Sequence, residues 1–238
     1  MKVFVIIPAA GLGTRMNAPA AQGRLRSKQF LELAGSPILI HTLRKVAACA
    51  AVDHITIAMR KAESEAFAPE LERARLGKPI AIVEGGEHRQ ESVANALDSL
   101  AAAADDIVLV HDAVRPFVEV ATIEAVIAAV QKFGAAIAGV PAVDTIKQVQ
   151  RTQDAAIITS TIPREHVVQA QTPQGFRYSE LKKAFDEARA EGFQGTDEAA
   201  LLERAGRPVH VVMGSARNMK ITTPADLELA EFYLKGRG

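Results

Sequence analysis

Two rhythms alternate along the chain. Short apolar runs, rich in Val and Ile, occur at residues 2–8 (KVFVIIP), 54–59, 80–84, 107–111 and 136–140. Runs of this length without a polar alternation fit strands buried on both faces. Between them, segments 38–50, 64–75, 89–100 and 121–133 repeat apolar residues at helical spacing. Strand and helix taking turns at this interval predict an α/β fold, a doubly wound, mostly parallel sheet covered on both sides. Ligands of such sheets sit beyond the carboxyl ends of the strands.

The rhythm breaks at Pro141. Residues 144–168 are rich in Thr, Ile, Val and Gln and show no helical period. DTIKQVQ and AAIITSTIP read as two strands joined by a polar turn at 151–154, an inserted β-hairpin. Such a hairpin either reaches a neighbouring molecule or folds back on its own domain, and spacing alone does not choose. The last third returns to helices. Thr223-Pro224-Ala225-Asp226 offers a capping Thr, a Pro at the first helical position and an acid in the first turn, opening a helix to about residue 234. With no linker or repeat in view, residues 1–238 read as one domain carrying the 144–168 arm.

Composition narrows the function. A formal net charge of zero excludes a protein that works by coating nucleic acid, which needs a basic surface. The single cysteine, Cys49 in VAACAAV, excludes an internal disulfide and a multi-cysteine metal site, and reads as a packed small apolar residue. No apolar run approaches the roughly 20 residues a membrane helix needs, and the opening run leads into a glycine loop rather than a cleavage site. A cytoplasmic protein without membrane partners is expected.

Three strand ends carry candidate chemistry. The first strand runs into PAAGLGTRM, where small residues let backbone N–H groups approach a phosphate. The dinucleotide fingerprint fails because Met16 stands at its third glycine, and the P-loop pattern is absent. Arg15 follows this loop and Lys28 comes soon after; both could stabilise charge on a nucleoside triphosphate. The third strand ends in GGEHRQESV at 85–93, where Gly85 and Gly86 could lie against a base and Arg89 and Ser92 open a helix. The fourth ends in VHDAVRPF. There Asp112 suits a Mg²⁺ shared with triphosphate oxygens or, alternatively, a ribose contact; Arg115 could meet a second phosphate, and His111 reads as a packing or supporting residue. Arg164, after the hairpin, and Lys220, before the capped helix, are further cations at element boundaries. No Ser-His-Asp or Cys-His arrangement is legible. If a phosphate monoester attacks, it is already ionised near neutral pH and needs positioning rather than a base.

PAAGLGTRM, KQF at 28–30, GGEHRQESV, VHDAVRPF, DTIK, QTPQGF, TDEA and NMKIT occur in the order seen in the 2-C-methyl-D-erythritol 4-phosphate cytidylyltransferase family, which the chain resembles over nearly its whole length. The resemblance implies a fold of the nucleotide-diphospho-sugar transferase type. It implies transfer of CMP from CTP to methylerythritol phosphate, a Mg²⁺ cofactor (other divalent metals being possible), and a homodimer clasped through the 144–168 arm. It casts Arg15 and Lys28 as catalytic cations; Ala9, Ala10, Gly86 and Ser92 as cytosine readers; Gly11 and Gly13 as the phosphate loop; Asp112 and Ala113 as the ribose and metal region. Arg89 joins the nucleotide set. Arg164 and Lys220 would position the acceptor, with Lys220 also near the nucleotide. Arg115 and Thr145 would come from the partner subunit, and Thr172 and Thr196, in QTPQGF and TDEA, complete the acceptor set. The link from Asn17 to Ser27 departs from the family: it is longer, places Ser27 where a Pro commonly precedes the Lys, and carries Arg24 and Arg26. A lid over CTP is expected there. A sister enzyme acting on another polyol phosphate, such as ribitol phosphate, is the nearest alternative. A non-catalytic nucleotide-binding regulator is a more distant one, and the missing glycine at Met16 disfavours a nicotinamide-dependent reductase.

Overall fold

The computed structural model describes residues 1–11 and 27–236. Strand β1 (Val3–Pro8) is followed by a small ribbon, β2 (Glu32–Leu33) and β3 (Ser36–Pro37), and by α1 (Ile38–Ala47). Next come β4 (His54–Met59), α2 (Lys61–Ala74), β5 (Ile80–Glu84), α3 (Arg89–Asp98), β6 (Ile107–Val110), α4 (Val120–Phe133) and β7 (Ala135–Pro141). The hairpin β8 (Ile146–Arg151) and β9 (Ala156–Ile162) leads into β10 (Val168–Arg177), α5 (Tyr178–Ala190), α6 (Glu198–Arg204), β11 (His210–Met213) and α7 (Pro224–Lys235).

Seven strands form the central sheet in the order β11-β7-β10-β6-β1-β4-β5. Every pair is parallel except the two that β10 makes, with β6 and with β7. Side chains of β1 divide between the faces, as the period of two requires. Val3, Val5 and Ile7 join a core built with α1 and α4, while Phe4 and Ile6 join one built with α3, α5 and α6. This two-sided burial explains why the strands read as unbroken apolar runs. A smaller core of Leu33, Ile38, Val114, Phe117, Ile221 and Ala230 seats the closing helix. That helix starts as its sequence predicts: Thr223 Oγ1 accepts from Asp226 N at 3.3 Å, and an Asp226 carboxylate oxygen accepts from Thr223 N at 2.8 Å.

Two expectations need correction. The last third is not helical throughout, since β10 and β11 are both strands of the main sheet. Strand β10 hides because Pro173 and Gly175 lie inside it, residues that ordinarily argue against a strand. Gly175 is there for space: a Cβ would lie 2.7–2.9 Å from side-chain atoms of Leu109, Val126 and Val130. Helix α2 also begins three residues before the expected 64, because Lys61–Glu63 is a polar first turn with no apolar period to announce it.

The hairpin stands clear of the sheet as a separate two-stranded ribbon. Ile157 and Ile158, which neighbour each other in β9 and so face opposite sides, are 59% and 60% exposed, leaving both faces uncovered in one copy of the chain. Its tip is closed by Thr152 and Ala155, whose backbones bond at 2.9 Å. Among the described residues, no helix is long and apolar enough to cross a membrane.

Candidate active site

The carboxyl ends of β1, β5 and β6 open on one cleft. Ala9, Ala10 and Gly11 line it from β1, Gly86, Arg89 and Ser92 from the β5–α3 turn, and Asp112 and Ala113 from β6. Lys28 and Gln29 come from the short turn Lys28–Phe30, and Lys220 from the loop before α7. The β1 exit is tied to its neighbour by Ala9 N donating to Ala58 O at 2.7 Å. Gly85 lets the second turn close on the first: a Cβ there would sit 2.4 Å from the Ala10 Cβ. Ser92 is 2% exposed. Its hydroxyl accepts from Gly86 N at 3.1 Å and donates to His88 O at 3.0 Å, which fixes the glycine turn over the first turn of α3.

At the floor of the cleft is Asp112, 5% exposed and ringed by cations. Arg89 Nε lies 3.3 Å from Oδ1, and Arg115 Nε and Lys220 Nζ lie 3.2 Å and 3.0 Å from Oδ2. Burial alone would raise the Asp112 pKa. The charges of Arg89, Lys220 and Arg115 outweigh it and hold the carboxyl well below the usual carboxylate range. Arg89 also forks onto Glu198, donating at 2.7 Å and 2.9 Å to its two oxygens. Burial opposes the Arg89 charge, but Glu198 and Asp112 keep the guanidinium more firmly protonated than usual. For Glu198, 1% exposed, burial wins and the pKa rises even against the pull of Arg89. Of the charged side chains that line the cleft, Lys28, Arg89 and Lys220 outnumber Glu87 and Asp112, and that positive excess favours a polyanion.

A hydrogen-bond chain supports this floor. Asp112 N donates to Thr172 Oγ1 at 3.0 Å, the Thr172 hydroxyl meets His111 Nδ1 at 2.9 Å, and His111 Nε2 meets Arg115 O at 3.2 Å. Because Arg115 O can only accept, the ring proton is on Nε2, and Nδ1 of the neutral ring therefore accepts from the Thr172 hydroxyl. Burial drives the His111 pKa down to about 4, so the ring is neutral and structural. The sequence expectation of a supporting histidine is met. Thr172 reaches it because β10 bulges: three residues, Gln171 to Pro173, oppose the single Ala138 between the pairs Ala170–Gly139 and Gln174–Ile137. Asn218 Nδ2 then donates to Thr172 O at 2.7 Å, and Asn218 O accepts from Arg115 at 2.6 Å.

Of the residues singled out by sequence, Ala9, Ala10, Gly11, Lys28, Gly86, Arg89, Ser92, Asp112, Ala113 and Lys220 converge on the cleft. Arg115 is turned onto Asp112 beneath it. Thr172 spends its hydroxyl inside the supporting chain. Thr196 is exposed, next to Asp197, whose side chain caps α6. Thr145 and Arg164 belong to the base of the hairpin and do not line the cleft of their own chain; Arg164 donates to Val143 O at 2.9 Å. Gly13, Arg15, Arg24, Arg26 and residues 17–26 of the expected 17–27 lid lie outside the described residues, while its last residue, Ser27, is buried. Sequence reading missed Gln29, whose amide donates to Ala9 O, and Glu198, the fork partner of Arg89. An acid directly after a capping Asp is a normal first-turn residue, so nothing in the sequence marks Glu198 as buried.

Comparison with known proteins agrees with this geometry. The family model for 2-C-methyl-D-erythritol 4-phosphate cytidylyltransferase matches residues 3–236. A protein of that name from Acidobacterium capsulatum is 58% identical, covering 100% of this chain and 99% of its own. One from Solibacter usitatus is 50% identical over 99% and 96%. Among solved structures, the Francisella tularensis 2-C-methyl-D-erythritol 4-phosphate cytidylyltransferase superposes with a TM-score of 0.81 at 35% identity, covering 98% of this chain and 99% of that one. The 4-diphosphocytidyl-2C-methyl-D-erythritol synthase of Anaerococcus prevotii gives 0.83 at 30% identity, over 98% and 96%. With glycine turns and a cation-ringed aspartate at the strand ends, and a match along almost its entire length, the chain belongs to the 2-C-methyl-D-erythritol 4-phosphate cytidylyltransferase family.

Proposed function

We propose that this cleft joins CMP from CTP to 2-C-methyl-D-erythritol 4-phosphate and releases pyrophosphate, a step of isoprenoid precursor synthesis. The observation that carries the reading is the ring of Arg89, Arg115 and Lys220 around Asp112, set beside two glycine turns. A phosphate oxygen of the acceptor forms a bond to the α-phosphorus of CTP, and the α–β P–O bond breaks. The acceptor phosphate is largely dianionic at neutral pH, so no base is required. The barrier lies in bringing two anions together and in charge building on the α-phosphate, both of which cations lower. Lys28 and Arg15 take that charge. Ala9, Ala10, Gly86 and Ser92 read the cytosine, Gly11 and Gly13 take the phosphates, and Lys220 reaches toward both substrates.

The donor set fits a Mg²⁺ held mainly by the triphosphate. Asp112 is ionised throughout the working pH range, and its Oδ1 carries one long contact, from Arg89 at 3.3 Å. When bound, the metal would neutralise triphosphate charge, with Asp112 as its protein ligand. The acceptor set of Arg115, Thr145, Arg164, Thr172, Thr196 and Lys220 needs a second copy of the chain, from which Arg115 and Thr145 are drawn; Thr145, at the base of the outlying hairpin, does not line the cleft of its own chain. Exposed Ile157 and Ile158 support a homodimer in which the hairpin reaches its partner. A free, buried Cys49 fits a cytoplasmic setting.

Purified protein supplied with CTP, methylerythritol phosphate and Mg²⁺ should release pyrophosphate and yield the CDP-linked alcohol by mass spectrometry. Chelation with EDTA should abolish the reaction, and ribitol phosphate should support at least 100-fold less. Absence of product with every polyol phosphate would overturn the reading.

A further inference from the structure

We propose that Ser27, gripped by Arg60 and Glu63 of the α2 start, is a positioning residue that sets Lys28 for reaction. The inference rests on the reading of Lys28 given above. Lys28 stands at the head of a single 3₁₀ turn, closed by Phe30 N to Ser27 O at 2.9 Å and Leu31 N to Lys28 O at 3.2 Å. One turn fixes several dihedrals for two hydrogen bonds and is unstable alone, so its place must come from outside. Three contacts supply it. Gln29 donates to Ala9 O, joining the turn to the first glycine loop. Phe30 packs on Phe67 of α2, ring centroids 5.4 Å apart. Ser27, the residue that caps the turn, is 4% exposed and held from two sides: its hydroxyl donates to Glu63 Oε1 and accepts from Arg60 NH2 at 2.9 Å.

The grip is closed, because Arg60 NH2 also lies 3.3 Å from Glu63 Oε1. Donor and acceptor roles of the hydroxyl are therefore both fixed, which removes its rotation and pins the Ser27 backbone. Arg60 and Glu63 are three residues apart across the N-terminus of α2, a helix anchored by β4, so the turn is referenced to the sheet. As a stabilising device the triad is poor. Arg60 Nε and Glu63 Oε2 are buried and find no partner among the described residues, and a half-paired buried network costs stability. What it provides is a fixed origin for a long, flexible lysine side chain, where a shift of about 1 Å can cost ~100-fold in rate.

The test is a cycle of Ser27→Ala, Ser27→Thr and Lys28→Ala on the full chain. Turnover, KM for both substrates, CTP affinity by calorimetry and melting temperature are measured for each. Ser27→Ala should lower kcat about tenfold with CTP affinity within twofold, and Ser27→Thr, which keeps the hydroxyl, should restore most of it. In the Lys28→Ala background, Ser27→Ala should cost nothing more. Unchanged kcat in Ser27→Ala, or an equal loss in both backgrounds, would overturn the proposal while leaving the reaction assignment intact. Full activity of Lys28→Ala would strike the role of Lys28 on which the proposal rests, and an inactive wild type would instead strike the reaction assignment.

Discussion

The floor of the cleft depends on two residues chosen for what they lack or withhold. Gly85 lacks a side chain, and the 2.4 Å that a Cβ would leave to Ala10 is less than carbon atoms tolerate. Gly85→Ala must therefore push the first glycine turn outward. It should weaken CTP binding at least tenfold by calorimetry, against a stability loss of about 1–3 kcal/mol typical of overpacking. Unaltered affinity would mean the turn yields without disturbing the nucleotide site. His111 withholds its charge. Both glycines and Asp112 were legible because backbone approach and anion handling leave marks at strand ends. The roles of Gly85 against Ala10, Glu198 against Arg89 and Thr172 against His111 were not legible, since each depends on contacts between residues 61 to 109 positions apart or on packing that a linear pattern does not encode.

Among the elements, the hairpin and β10 show opposite sides of this legibility. β8 and β9 were readable because residues 144–168 are rich in Thr, Ile, Val and Gln and show no helical period. β10 was obscured by Pro173 and Gly175, yet its bulge brings Thr172 to the chain that supports the site, and Gly175 packs closely on Leu109, Val126 and Val130. The hairpin has apolar residues on both faces and little to hold it alone. If the proposed dimer forms through the hairpin, replacing Ile157 and Ile158 together by Asp should leave a monomer in sedimentation equilibrium where the unchanged protein is a dimer. Because both side chains are exposed, the stability of the single fold should change by less than about 0.5 kcal/mol. A dimer that persists would place the interface elsewhere.

Over the whole molecule, folding stability should carry the signature of the buried imidazole. In the unfolded chain His111 takes up a proton near pH 6.5, whereas in the fold it does so near 4. Between those values the unfolded state binds more protons, so stability falls as pH falls, by about 1.4 kcal/mol per unit from this group. The Asp112 contribution persists through that window, because its folded pKa lies below the usual carboxylate range, and it is lost only in stronger acid. Urea titrations at pH 7 and pH 5 should show His111→Gln losing less stability on acidification than wild type; equal losses would mean the ring is protonated in the fold.

Strand β10 is clamped on both sides, by β6 and by β7, over Gln174, Gly175 and Phe176, directly after the bulge that carries Thr172. Its alignment is therefore set by the sheet and not by the length of chain that precedes it. Residues added or removed at the 152–155 tip would lengthen or shorten the outward reach of the hairpin without sliding a single cleft residue. Span and chemistry are thus separately adjustable in this architecture, and a chimera carrying a longer or shorter hairpin would keep its own cleft in alignment.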